Sequence, residues 1–277
     1  MIPSPFEYEL ADSVEQAVEL LGSREGAKLL AGGHSLLPMM RLRIARPALL
    51  VDVGRLRDLS YVREDGDEIA IGALTRHHDL ANSELLQQAC PIVAFAAGQI
   101  GDPQVRHVGT IGGSCAHADP ASDMPTVLVA LGATLTVRGP NGATRLVPAG
   151  DFFRGLFEPD LATNEVLAEI RVPKTGSRGW SYVKFHRRAQ DWALVGVAAV
   201  TGDNGDGTAV ALTNMGDRPV RASGVEQALA NGSDPAAAAK RASEGTSPPS
   251  DAFASAEYRQ ELAKVLVRRS LEEAMSR

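Results

Sequence analysis

Apolar residues recur at Val14, Ala17, Val18 and Leu21, the spacing of one helix face. Ser13 precedes them and Gln16 follows three residues later, which reads as a capping box. Gly22 and Gly26 then read as the helix end. Residues 6–10, 27–31 and 48–53 have strand character, the last a buried apolar run. Strand, helix and strand in this order predict a small α/β unit over roughly the first 55 residues. From about residue 56 the pattern changes. Residues 68–71 predict a strand, residues 75–98 carry helical patches broken by Pro91, and residues 124–131 predict a helix. Residues 133–138 and 143–147 flank Gly139-Pro140-Asn141-Gly142 and predict a hairpin. Residues 166–172 predict a further strand closed by Pro173.

The polar, breaker-rich stretch 173–179 predicts a domain boundary. Beyond it, residues 181–187, 193–201 and 208–214 predict a three-stranded antiparallel meander, followed by helices over 222–230, 235–243 and 256–275. Leu262, Val265, Leu266, Val267, Leu271 and Met275 of the last helix are apolar on more than one side, which reads as burial on two sides, one of them against another subunit. The pattern therefore divides the chain into residues 1–175, in two parts of about 1–55 and 56–175, and residues 178–277. The fold class it predicts is α+β, and no internal repeat is visible.

Composition narrows the chemistry. The chain has 277 residues, 44% hydrophobic and 22% charged, which is ordinary for a globular protein with a large core. The net charge of −6 lacks the basic footprint that nucleic-acid binding requires. The 2 cysteines, Cys90 and Cys115, are too few for an iron–sulfur cluster with four protein ligands or for a disulfide framework, and they suit a reducing cytoplasm. There is no basic region followed by an apolar one at the N-terminus. The longest apolar run, near residues 127–135, is well below the roughly 20 residues of a membrane span. These features predict a cytoplasmic protein and leave open attachment at the inner face of the membrane.

Two glycine-rich segments stand out. The first runs Ala31-Gly32-Gly33-His34-Ser35-Leu36 after a predicted strand, and the second runs Thr110-Ile111-Gly112-Gly113-Ser114. Consecutive glycines let several backbone N–H groups point one way and bind an anion. A turn between strand and helix explains each segment taken alone. Together they suit a diphosphate clamped from two sides, which is how an acidic chain would hold a dianion. Neither matches the dinucleotide-binding or P-loop pattern. Asp123, just ahead of a predicted helix with Pro125 in its first turn, reads either as helix-cap chemistry or as an acceptor for a cofactor hydroxyl.

The combination AGGHSLLP, DPQVRHVGTIGGS and HADPASDMP resembles the FAD-binding medium subunit of molybdenum hydroxylases, the carbon monoxide dehydrogenase and xanthine dehydrogenase family. The resemblance covers essentially the whole chain. It implies a two-subdomain FAD-binding fold like that of vanillyl-alcohol oxidase, followed by the C-terminal sheet with helices. It implies that Ala31, Gly32, Gly33, His34, Ser35 and Leu36 cradle the FAD diphosphate, with Thr110, Ile111, Gly112, Gly113 and Ser114 as the second clamp. By the same resemblance Asp123 reaches the sugar-like chain and Lys184 lies near the flavin ring. Trp192, where many relatives carry Tyr, either covers one face of the flavin or packs at a strand start. Position 114 is Ser where many members have Asn. FAD is expected to be non-covalent, and neither a catalytic residue nor a metal site is expected in this chain.

The implied function is that of an electron-transfer subunit. The expected partners are a large subunit with the molybdenum cofactor and a small subunit with two 2Fe–2S clusters, in a dimer of heterotrimers. FAD would pass electrons from those clusters to an external acceptor. The alternatives are a stand-alone FAD-dependent oxidoreductase of the same fold and a scaffold subunit without FAD. The substrate of the complex is not written in this chain. Three further features carry no chemistry. His34 sits in a loop that acts through its backbone, and His117 has no partner at ligand spacing. Asp203-Asn204-Gly205-Asp206-Gly207 resembles the start of a calcium loop, but the twelfth position is Asn214 rather than an acid, so a hairpin turn is expected. Arg41, Arg43 and Arg46 read as a solvated basic face.

Overall fold

The computed structural model describes residues 2–202 and 207–277 and builds the chain on three main sheets. The first holds β1 (Glu7–Leu10), β2 (Ala27–Leu30) and β3 (Leu49–Asp52), all parallel, in the order β1-β3-β2. α1 (Val14–Ser23) links β1 to β2, and α2 (Leu36–Arg41) lies between β2 and β3. α1 buries Val14, Ala17, Val18 and Leu21 against the sheet. Ser13 Oγ accepts the Gln16 N–H at 3.1 Å, while Gln16 Oε1 accepts from the Asp12 N–H at 2.6 Å, one residue earlier than a capping box requires. Gly22 lies inside the helix rather than ending it. Gly26, at φ +78°, makes the turn into β2.

β4 (Val62–Asp65) and β5 (Glu68–Gly72) begin the second sheet. Six short helices follow: α3 (His77–Ala81), α4 (Glu84–Ala89), α5 (Pro91–Gly98), α6 (Pro103–Val108), α7 (Ile111–His117) and α8 (Asp123–Leu131). Pro91 breaks the helical run as expected and becomes the first residue of α5, where its missing N–H leaves no bond unmade. β6 (Thr134–Arg138) and β7 (Thr144–Pro148) form the expected hairpin, with Asn141 and Gly142 at positive φ in the turn. α9 (Ala149–Phe152), the ribbon β8 (Phe153–Gly155) with β9 (Glu158–Pro159), and β10 (Val166–Pro173) complete this part. The sheet order is β4-β5-β10-β6-β7, antiparallel throughout. β10 joins two cores, because Val166 and Ala168 face the first unit while Leu167, Ile170 and Val172 face the helices.

The third sheet contains β11 (Trp180–Phe185), β12 (Val195–Val200), β13 (Ala209–Thr213) and β14 (Val220–Arg221) in that order. The two-residue β14 is a fourth strand beyond the three expected, too short to carry an alternating pattern. The turn expected between β12 and β13 lies across residues 203–206, outside the described residues. α10 (Ser223–Ala230), α11 (Pro235–Ala239) and α12 (Ala256–Ser276) follow, α11 being shorter than expected. β12 and β13 are buried on both faces, which explains their unbroken apolar sequences. Val195, Val197 and Leu212 face α10–α12, whereas Ala198, Val200 and Ala211 join the core around α8. α8 lies between the second and third sheets with all of its residues buried. α12 buries Leu266, Val267 and Leu271, but Val265 and Met275, the second side of its apolar pattern, stay exposed. Among the described residues no helix is long and apolar enough to cross a membrane.

Arg259 of α12 is fully buried. Its guanidinium donates to the Leu194 carbonyl at 2.5 Å and to Asp251 Oδ2 at 2.6 Å. A buried cation is tolerated only while paired, and removing its partner leaves it uncompensated. Asp251→Ala is therefore expected to lower the unfolding free energy by about 3 kcal/mol in urea titration, and Arg259→Met by less, because it removes the charge with the pair. Equal losses would show that an uncompensated buried charge is not what makes the loss of Asp251 costly.

Candidate functional site

The first glycine segment leaves the end of β2 and turns at Gly33, whose φ is +72°. The Leu37 N–H donates to the Gly33 carbonyl at 2.9 Å and starts α2. The backbone N–H groups of Gly32, Gly33, His34 and Ser35 find no acceptor among the described residues. A run of free amides in a tight turn is an anion-binding concavity made without a charged side chain. His34 is exposed, whereas Ala31, Gly32, Gly33, Ser35 and Leu36 are half-buried. A Cβ on Gly32 would stand 2.2 Å from the Val108 carbonyl oxygen and 2.9 Å from Gly109 Cα. The first glycine segment is therefore in direct backbone contact with Val108 and Gly109, which lead into the second.

The second segment differs from the expected loop. Thr110 caps α7, and Ile111, Gly112, Gly113 and Ser114 form its first turn. Thr110 Oγ1 accepts the Gly113 N–H at 3.1 Å. The Ile111 N–H donates to Thr75 O at 3.0 Å and the Gly112 N–H to Ala73 O at 2.8 Å. These amides are already engaged, so the segment offers side-chain hydroxyls where a row of free amides was expected. Gly112 is needed for close approach, since a Cβ there would lie 2.5 Å from the Ala73 Cβ. The reason the consecutive glycines misled is physical: they permit tight packing as well as a tight turn.

Ser114 Oγ lies 3.1 Å from His77 Nε2. His77 is the first residue of α3 and is buried. Burial first, and the nearby Arg106 cation second, push its ring down to about 4, so it is neutral near pH 7. His77 carries no sequence pattern that marks it. Cys115, next to Ser114, is buried, and burial pushes its thiol up to about 12, so it is not a thiolate.

Asp123 is the first residue of α8, following Ser122 at the cap position, and it does not act as the cap. Its carboxylate instead accepts from the Tyr182 hydroxyl and, at 3.0 Å, from the Lys184 ammonium. The Asp123 and Lys184 side chains are 6% and 5% exposed. Burial pushes the Asp123 carboxyl above its ordinary value against the opposing pull of Lys184 and Tyr182, and it raises the Tyr182 hydroxyl well above its own. Lys184 also donates to the Gln99 carbonyl at 3.2 Å. Tyr182 and Lys184 are two apart on β11 and share a face, the signal that could have brought Tyr182 into the site. Trp192 lies between β11 and β12 and is 61% exposed, with no ring stacked on it among the described residues. It is therefore not the packed tryptophan of the alternative reading. The chain behind it is fixed, because Asn214 Nδ2 donates to the Ala193 carbonyl at 2.8 Å and the Asn214 N–H to the Pro120 carbonyl at 2.8 Å.

Residues 4–175 match the model of the FAD binding domain in molybdopterin dehydrogenase, and residues 180–274 match the CO dehydrogenase flavoprotein C-terminal domain. The carbon monoxide dehydrogenase medium chain of Hydrogenophaga pseudoflava is 42% identical, over 100% of this chain and 99% of the relative. The glyceraldehyde dehydrogenase medium chain of Sulfolobus acidocaldarius is 38% identical over 99% of both. The solved carbon monoxide dehydrogenase from Hydrogenophaga pseudoflava that lacks the Mo-pyranopterin moiety superposes with a TM-score of 0.96 at 43% identity, over 100% of this chain and 99% of the matched chain.

Two outcomes follow from this geometry. Gly32→Ala places a methyl group against the Val108 carbonyl, which is expected to lower the unfolding free energy by about 1–3 kcal/mol. Thermal and urea unfolding measure that loss. His77 is protonated near 6.5 in the unfolded chain and only near 4 in the folded one. Its contribution is therefore complete above pH 6.5 and is lost as the pH falls toward 4, by about 3 kcal/mol in total. The stability difference between wild type and His77→Gln, followed from pH 7 to pH 4, should narrow by that amount.

Proposed function

The chain belongs to the family of FAD-binding medium subunits of molybdenum hydroxylases, and on that premise we propose that it is the electron-transfer subunit of such a complex. The observation that carries the reading is the row of free amides over Gly32, Gly33, His34 and Ser35, with Gly32 packed on Val108 and Gly109 at the entry to the second glycine segment, in a chain of net charge −6. A diphosphate needs several hydrogen-bond donors converging from one side, and uncharged amides supply them without a basic pocket. The residues present fit the group.

In this reading Ala31 to Leu36 take the FAD diphosphate on their amides. Thr110 and Ser114 add hydroxyl donors from α7, while Ile111, Gly112 and Gly113 permit the close approach. Asp123 and Lys184, paired and buried, hold the sugar-like chain and the edge of the ring. Trp192, exposed on a fixed base, covers one face of the flavin and limits which acceptor reaches it. When bound, FAD supplies the redox chemistry, taking electrons singly and releasing them singly or in pairs. The chain positions and shields the cofactor, and no acid or base of its own is required. The units 1–175 and 178–277 are proposed as the FAD-binding domain and its C-terminal companion.

The electrons come from a small partner with two 2Fe–2S clusters, and a large partner with the molybdenum cofactor oxidises the substrate. The 2 cysteines of this chain, both buried, are too few for a cluster of its own. We place the complex in the cytoplasm, or at the inner face of the membrane, as a dimer of heterotrimers. The free amide cradle favours this reading over a scaffold without FAD.

The purified chain mixed with FAD is expected to keep a visible flavin band through gel filtration, and the bound flavin to be reduced on mixing with the reduced iron–sulfur partner. A chain that retains no flavin overturns the assignment. A flavin-loaded chain that oxidises an organic donor unaided identifies the stand-alone oxidoreductase instead.

A further inference from the structure

We propose that His77 is a positioning residue whose Nε2–H donates to Ser114 Oγ and so aims the Ser114 hydroxyl proton at the FAD diphosphate. The inference rests on the FAD reading above and adds a residue that neither glycine segment contains. His77 is stitched to the segment by its backbone as well as its ring. Its N–H donates to the Gly109 carbonyl at 3.0 Å, and a Cβ on Gly109 would stand 3.2 Å from His77 Cδ2. Nε2 is 3.1 Å from Ser114 Oγ, while Nδ1 is buried without a partner among the described residues.

That orphaned nitrogen decides the tautomer. If Nδ1 carried the proton, the ring would bury an unsatisfied N–H, and Nε2 would take the serine's single donor. If Nε2 carries it, Nδ1 keeps only an unused lone pair, the cheaper of the two orphans. The Ser114 hydroxyl then accepts from the ring and keeps its own proton for a further acceptor. The amides of the first turn of α7 cannot take that role. Those of Ile111, Gly112 and Gly113 bond to Thr75, Ala73 and Thr110, and the Ser114 N–H donates to the Thr110 carbonyl at 3.0 Å. What the segment has left for an anion is the Thr110 N–H, which finds no acceptor among the described residues, and the hydroxyl protons of Thr110 and Ser114. Burial, which keeps the ring neutral, makes the arrangement independent of pH across the physiological range.

Two measurements on the full chain test this. Nitrogen-15 NMR of the imidazole is expected to show Nε2 protonated and Nδ1 bare, and a ring protonated at Nδ1 overturns the assignment. FAD titration by flavin fluorescence is expected to show affinity about tenfold weaker for His77→Leu and for Ser114→Ala, the effect of one lost hydrogen bond to a charged group. His77→Gln, whose side-chain amide donates from nearly the same place, should stay within about threefold of wild type. The double variant His77→Leu/Ser114→Ala should bind no more weakly than Ser114→Ala alone, since both act through one bond. If His77→Leu weakens binding equally with Ser114 absent, His77 acts by packing and the proposal falls. A wild-type chain that binds no FAD defeats the FAD reading, whereas the tautomer decides the His77 assignment separately.

Discussion

Residue 32 must have no side chain, because a Cβ there would stand 2.2 Å from the carbonyl oxygen of Val108. This contact brings the turn after β2 onto the chain that enters α7. The first segment, with its free amides, is thereby held beside the start of the second. Gly112 repeats the constraint one layer deeper, where α7 meets Ala73 at the end of β5. The site is thus assembled from backbone surfaces in contact, and its glycines are fixed by what they touch.

That assembly suits the electrostatics of the chain. In a protein of net charge −6 the first glycine segment has no cation, and what it presents to an anion is a row of backbone dipoles. The buried pair of Asp123 and Lys184 brings charge to the candidate site in compensated form. Burial alone would favour the neutral carboxyl, and the ammonium with the Tyr182 hydroxyl offsets much of that cost. The pair also ties β11 of the third sheet to the first turn of α8, so the two halves of the chain are joined at the proposed cofactor site.

The sheets make that joint rigid. β12 and β13 are covered by α8 on one face and by α10–α12 on the other. The segment carrying Trp192 leaves this support between Phe185 and Leu194, whose backbone groups bond at 2.8 Å. Asn214 and Arg259 hold the carbonyls of Ala193 and Leu194. The exposed ring of Trp192 thus directly precedes two residues whose backbone groups are bonded to the third sheet and α12.

Much of this was legible in the residues. Helical spacing and the Ser13 cap gave α1, turn chemistry gave the β6–β7 hairpin, and paired glycines with the Pro-Gln-Val-Arg lead-in pointed to a cofactor and a family. These are local signals, set by the conformational limits of a few neighbouring residues. The sequence by itself determined most of the turns and buried strands, and that Gly32 and Gly33 make a tight turn after β2. It read Thr110 to Ser114 as a loop because two glycines permit a turn, whereas tertiary packing made them the first turn of α7. It could not pair His77 with Ser114, Tyr182 with Asp123, or Arg259 with Asp251. Those pairings rest on close approach across elements that no local pattern records. Only the folded chain decided which donors are already engaged and which remain free, because every buried N–H must find its acceptor before a ligand is offered one.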